Sequence, residues 1–254
     1  MISINKDYSL NQLRDLIHQN FIKNSKKGEE SFDAEQKRIL EIFSRRIFLE
    51  ETIEEAIAFN RKLTWDTTNG LYYLTTTAED LIEVFKLRSD VYKTMNYGNE
   101  FPDMIEGLNF DCYDHHSAII FCKNDSHEFT GTSRIIFDSS QNLLPSDKKF
   151  SFNYLREANK KIAETSRLTI KKDSNKLSLD FKNIMKSYYD IITHNNLDLI
   201  VSSIIQDHYK LYSKFGGIQI EKELNAFGEL SGEFFVISWN PYMASDFFKR
   251  SFLK

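Results

Sequence analysis

The stretch IAETSRLTI, residues 162–170, decides how the chain is read, because it sets Glu164 and Arg167 three residues apart inside an otherwise apolar, β-branched run. Such a run predicts a strand in the middle of a sheet, where a charge must find a partner. Strict alternation puts Glu164, Ser166, Leu168 and Ile170 on one face and Ala163, Thr165, Arg167 and Thr169 on the other. A bulge near Thr165 would bring both charges to one side. Two earlier stretches are expected to converge on this strand: FDCYDHH, residues 110–116, with Asp111 and Asp114, and FTGTSRIIF, residues 129–137, which places Arg134 in another β-like run. Together they assemble three carboxylates and two arginines.

A chain of 254 residues fits one large domain, or one domain with an appendage. Cys112 and Cys122 are the only cysteines, without a CxxC spacing, so neither a disulfide framework nor a zinc site is expected and a reducing cytoplasm is the simplest location. The first 30 residues carry no apolar segment of the signal-peptide kind, and no window reaches the length of a membrane span. A net charge of −4 argues against general nucleic-acid binding, which needs Lys and Arg to neutralise phosphates. The 21 Phe and 12 Tyr form core, or line a tunnel for an acyl chain.

Residues 9–24 and 32–63 read as helices, the second with Ile39, Ile42, Phe43, Ile47, Ile53 and Ile57 at helical spacing. Residues 1–64 are therefore treated as a helical extension, and WDTTNG, residues 65–70, as the boundary to a second domain over 71–254. That domain is expected to run strand (71–76), helix capped near Thr77 (to 94), loop, antiparallel strands (117–122 and 129–137), a loop around Pro145, a short helix (152–161) and the charged strand. A helix (177–194), a strand (198–204), a short helix ending at Gly216 and Gly217, two strands (218–224 and 233–239) and a helical tail follow. The class is α/β (α+β): a mixed, mostly antiparallel sheet flanked by helices.

The segments LRSDVY (87–92), FDCYD (110–114), GTSRII (131–136), LLPSDKKF (143–150) and AETSRL (163–168), in that order, resemble the autoinducer synthases and the related long-chain N-acyl amino acid synthases of the GNAT acyltransferase superfamily. The resemblance covers roughly residues 71–240. It implies a GNAT-like fold and puts the family's pattern on Arg88, Asp111, Asp114, Arg134, Glu164 and Arg167. DHYKLYSKFGG, residues 207–217, is similar to the helix before the last GNAT strands and puts Tyr212 near the thiol leaving group. Two departures refine this. Asn109 stands where homoserine lactone synthases carry a Glu, and the loop KKDSNKLS (171–178) lacks the glycines that hold a CoA pyrophosphate. The resemblance then implies a fatty acyl group carried by acyl carrier protein on phosphopantetheine, with acyl-CoA as the other donor, no tightly bound cofactor, and an amino acid or other small amine as acceptor.

On this reading Glu164 is the base for the amine, Tyr212 protonates the thiolate, and Asp111 completes the catalytic set. Arg134 or Arg167 clamps the acceptor's carboxylate, supported by Arg88 and Asp114. The donor lies along Leu168, Thr169 and Ile170, whose amides face the oxyanion, with Lys171, Lys172 and Lys176 toward an acidic carrier. The bland alternative stands beside it. Carboxylates and arginines on adjacent strands also make purely structural ion-pair networks, Asp111 and Asp114 can be loop caps, Arg88 can be solvated, and His208 can be a surface or capping residue. A lactone synthase, a CoA-dependent N-acyltransferase and a non-catalytic acyl-binding module remain the competing functions.

Overall fold

The computed structural model describes residues 9, 11, 12, 15, 34–171 and 179–254. The expected helix over 9–24 therefore falls mostly outside the described residues, as do Lys172 and Lys176. The chain divides into two compact units, Met1–Glu55 and Ala56–Lys254. The first described helix, α1 (Ala34–Asn60), straddles that boundary in sequence. Within the first unit it carries the i, i+4 pairs Glu41–Arg45 and Arg46–Glu50, the spacing that puts opposite charges on one helical face.

The second unit is built on seven strands in the order β1-β2-β3-β4-β5-β7-β6, where β1 is Tyr73–Leu74, β2 Ser117–Lys123, β3 Phe129–Phe137, β4 Ile162–Ile170, β5 Leu199–Ile205, β6 Ile218–Phe227 and β7 Leu230–Trp239. Every neighbouring pair is antiparallel except β4 and β5, which run parallel. The expected mixed, mostly antiparallel sheet is present, and β4 has the bounds read from its sequence.

Helix α2 (Ala78–Thr94) starts where Thr77 accepts a hydrogen bond from the Asp80 amide, and its buried residues include Leu81, Val84, Phe85, Arg88 and Tyr92. It packs on β3 and β4, on the sheet face that carries Arg134 and Glu164. The opposite face is covered by α4 (Leu179–His194), which buries Ile184, Met185, Tyr188, Ile191 and Ile192 against Ala118, Ile120, Ile135, Ala163 and Ile200. A short α3 (Asn153–Glu157) precedes β4. The run after β5 is α5 (Gln206–Tyr212) and a single 3-10 turn, Ser213–Phe215. Gly216 and Gly217 then adopt φ of 77° and 72°; a Cβ at either would lie under 3 Å from the backbone of residues 240–245, so the close return of the tail needs both glycines. That return seats α6 (Asp246–Phe252) so that Phe248 and Phe252 pack on Phe215 and Phe248 on Trp239.

β1 is shorter than the expected strand over 71–76. Only Tyr73 and Leu74 form the ladder with β2, followed by one bond from the Thr75 amide to the Ile119 carbonyl; ahead of them Asn69 and Gly70 hold the chain in a turn in which the Asn69 side chain accepts from the amides of Leu71 and Tyr72. Among the described residues no helix is long and apolar enough to cross a membrane. Phe248 is fully buried in the aromatic cluster, so Phe248→Ala should lower unfolding stability by about 3–5 kcal/mol, measured by urea denaturation.

Candidate active site

β4 departs from a plain strand at one point. Arg134 lies opposite Ser166 and Thr132 opposite Thr169, so Arg167 and Leu168 together face Ser133. Arg167 takes φ of 57° there. This is the bulge expected near Thr165, placed two residues later, and it reverses the phase of the strand. Leu168 and Ile170 were expected on the Glu164 face. Instead Thr169 joins that face, reaching the Tyr92 hydroxyl, while Ile170 packs into the opposite core.

The bulge turns Arg167 toward Asp111. Asp111 caps the 3-10 helix Cys112–His116 by accepting from the Tyr113 amide at 2.9 Å. Its carboxylate also takes both Nη atoms of Arg134, at 2.6 and 3.0 Å, and Nη2 of Arg167 at 2.8 Å. Asp114 returns to the Asp111 amide at 3.0 Å and pairs with Arg88 at 2.9 Å and Arg134 at 3.0 Å. Capping and ion pairing, posed as alternatives from sequence, are done by the same two aspartates. Burial pushes both carboxyls up, but the facing guanidinium groups outweigh it and hold them below the usual carboxylate range.

Glu164 has a different environment. It is 3% exposed, and neither arginine bonds to it. Its partner is Ser146, from the 3-10 turn Pro145–Lys148, whose amide and hydroxyl donate to the two carboxylate oxygens at 2.9 and 2.8 Å. Burial dominates the Ser146 bonds and the charge of Arg134, pushing the Glu164 carboxyl up to about 7.

Beyond Thr165, paired with Ser202, β4 and β5 no longer pair. A cavity of about 560 Å³ occupies this split. Its polar wall holds Asp111, Arg134, Glu164, Ser166 and Arg167, and its apolar part runs past Tyr188 to Met185, Ile200, Phe215 and Trp239 on the other side of the sheet. Tyr212 lines it, and burial pushes its hydroxyl up to about 12. Arg167 stacks over Phe101, 4.4 Å from the ring centre, and its Nη1 is buried with no hydrogen-bond partner among the described residues.

Of the residues singled out from sequence, Asp111, Arg134, Glu164, Arg167, Leu168 and Tyr212 meet at this cavity. Arg88 and Asp114 stand behind it, fully buried, so Arg88 is not a solvated helix residue. Thr169, Ile170 and Lys171 are outside its lining; the Lys171 amide donates to Thr130. His208, read as a surface or capping residue, also reaches the lining. Asn109 is buried, its amide donating to the carbonyls of Phe101 and Pro102, and so pins the loop ahead of Asp111. Sequence reasoning missed Ser146, Ser203 and Tyr188. Only Ser146 carried a signal, as the residue after Pro145 inside LLPSDKKF. Among the described residues no group of three His, Cys, Asp or Glu is placed to hold a metal.

A mostly antiparallel sheet opened between one parallel pair, with a buried acid and an apolar cavity at the opening, is a GNAT-like fold. The sequence model of the N-acyl amino acid synthase FeeM matches residues 83–236, and the chain belongs to that family. The solved structure of FeeM, an N-acyl amino acid synthase from uncultured soil microbes, is 15% identical, with a TM-score of 0.54 over 72% of this chain and 94% of its own. The CoA-dependent acyl-homoserine lactone synthase BjaI, solved with SAM and isopentyl-CoA, is 14% identical, with a TM-score of 0.52 over 68% of this chain and 82% of its own. A comparison with curated proteins finds no match.

Two stability outcomes follow. Arg88→Ala should cost about 3–5 kcal/mol by leaving Asp114 buried with less compensation, and Asp114→Leu should cost at least as much because it also strips Arg134 and the Asp111 amide of a partner, both measured in denaturant titrations. Glu164 has a folded pKa of about 7, above the unfolded value of about 4.3. Stability it contributes is complete below the unfolded value and is lost as pH rises through the folded one. Melting curves should therefore show Glu164→Gln gaining on the unmodified protein between about pH 4 and about pH 7 and keeping a constant margin above that.

Proposed function

We propose that the enzyme transfers a fatty acyl group from the thioester of an acyl carrier protein to the amine of an amino acid, giving an N-acyl amino acid and a free thiol. The observation that carries this reading is the continuity of one cavity: a charged wall with a buried carboxylate of raised pKa opens directly into an apolar channel. An acyl chain fits the apolar part, and an amine with a carboxylate fits the charged part.

Each step has a residue. Arg167, whose side chain lines the cavity and is partly exposed there, takes the acceptor's carboxylate. Glu164, poised near neutral pH, accepts a proton from the amine, whose nitrogen attacks the thioester carbon. Backbone groups of β4 that lose their β5 partners beyond Thr165 face the split and steady the oxyanion. The carbon–sulfur bond then breaks, and the Tyr212 hydroxyl passes a proton to the departing thiolate and regains one from the proton that Glu164 took from the amine, both residues lining the same cavity. Arg134 and Asp111 hold this wall in shape rather than meeting substrate, since each spends its hydrogen-bonding capacity on the other and on Arg167 or Ser166. The carrier protein is favoured over CoA by the glycine-free loop at 171–178, whose Lys171, Lys172 and Lys176 suit an acidic partner. The lactone reading is disfavoured by Asn109, whose amide is committed to the loop carbonyls.

Organic extracts of a bacterial host expressing the protein should contain N-acyl amino acids by mass spectrometry that are absent with a folded Glu164→Gln variant. That substitution should cost about 10²–10⁴ in kcat/KM. The pH profile of kcat/KM should rise with an acid limb near 7, where Glu164 loses its proton. Lactones in place of amino acid amides would contradict the acceptor assigned here.

A further inference from the structure

We infer that Ser146 is a positioning residue for the acyl transfer, fixing the orientation and proton affinity of Glu164 through a hydroxyl that serves it in both protonation states. The inference rests on Glu164 being the base. Ser146 is 2% exposed and Glu164 3%, so water does not substitute for this contact. The serine addresses both carboxylate oxygens: its amide donates to Oε2 at 2.9 Å and its hydroxyl to Oε1 at 2.8 Å. Two donors from one residue fix the plane of the carboxylate and leave its remaining lone pairs to the cavity that Glu164 lines.

The amide can donate to Oε2 whenever that oxygen carries no proton, and the hydroxyl is both donor and acceptor. When Glu164 has taken a proton, an acid O–H at Oε1 can donate to Ser146, which turns its own proton to Ser203, 3.3 Å away on β5. In the ionised state the order reverses, with Ser203 donating to Ser146 and Ser146 to Glu164. The base thus keeps satisfied partners through the reaction with no rearrangement beyond the turning of the acid O–H and the two serine hydroxyls.

The turn that presents Ser146 is itself tied down. Arg156 of α3 pairs with Asp138 and Asp147, each at 2.6 Å, while Asp147 accepts from the amides of Leu144 and Phe152. The charged groups acting on Glu164 are Arg134 from β3 and Asp147 and Lys149 from this turn and its end. β5 presents the uncharged Ser203.

Bonds to the ionised acid are about twice as strong as bonds to the neutral one. Removing the Ser146 hydroxyl should therefore raise the proton affinity of Glu164. The experiment follows thiol release from palmitoyl carrier protein with the twenty amino acids, across pH, in the unmodified protein, Ser146→Ala, Ser146→Thr, Ser203→Ala and Glu164→Gln. For Ser146→Ala the acid limb should move up by about 1 pH unit, a loss of roughly tenfold below it that shrinks above it. Ser146→Thr should return the limb toward its original place. Ser203→Ala should move it the same way by less, and carries the test if Ser146→Ala does not fold. An unmoved limb with an equal loss at every pH, while Glu164→Gln is inactive, would overturn the role of Ser146 alone. Full activity in Glu164→Gln, or an unmodified protein inert to every amino acid, would overturn the assignment of the base and this inference with it.

Discussion

The carboxylate of Asp111 is shared between two arginines from neighbouring strands, and the site depends on that sharing. Without it, Arg134 and Arg167 would stand as two like charges in a mostly buried wall. Arg167 would also have little reason to sit at a φ of 57°, a conformation that costs a non-glycine residue about 1–3 kcal/mol. The ion pair with Asp111 and the stacking on Phe101 offset that strain. The bulge follows from holding Arg167 in this position, and the phase change along β4 follows from the bulge.

Where the bulge interrupts β4, its pairing with β5 has already ended, and the sheet opens onto both faces. This lets a charged wall on one side communicate with an apolar channel on the other. The two carboxylates of the wall are driven apart in proton affinity by their neighbours: arginines keep Asp111 ionised, whereas burial beside Ser146 brings Glu164 to about 7. Two acids on one surface thus differ in charge state near neutral pH, Asp111 ionised between the arginines and Glu164 close to its own midpoint.

Much of this was legible in the chain, because its strongest signals are local. Charges inside the β-branched run of β4 announced a buried polar site, and the order of the five segments around Arg88, Asp111, Arg134, the Pro145 turn and Glu164 pointed to the acyltransferase fold. The bulge was foreseen but misplaced: alternation marks a conflict between two charges, not which residue absorbs it, and here Asp111 selects Arg167. The partner of Glu164 was left open by the sequence: both arginines are taken by Asp111, and the pairing with Ser146 spans 18 residues through a turn whose fold rests on Arg156. The apolar channel had no linear signature, since Met185, Ile200, Phe215 and Trp239 come from four separate elements and read as ordinary core.

The most direct test of the account is a crystal structure with a long-chain acyl-pantetheine analogue in which a stable amide replaces the thioester. The pantetheine should pass between β4 and β5 beyond Thr165, with the acyl chain against Met185, Ile200 and Trp239 and the amide carbonyl turned toward β4 near Ser166–Leu168. A chain bound outside the split, or one that leaves the apolar channel empty while the reactive carbonyl lies away from Glu164, would contradict it.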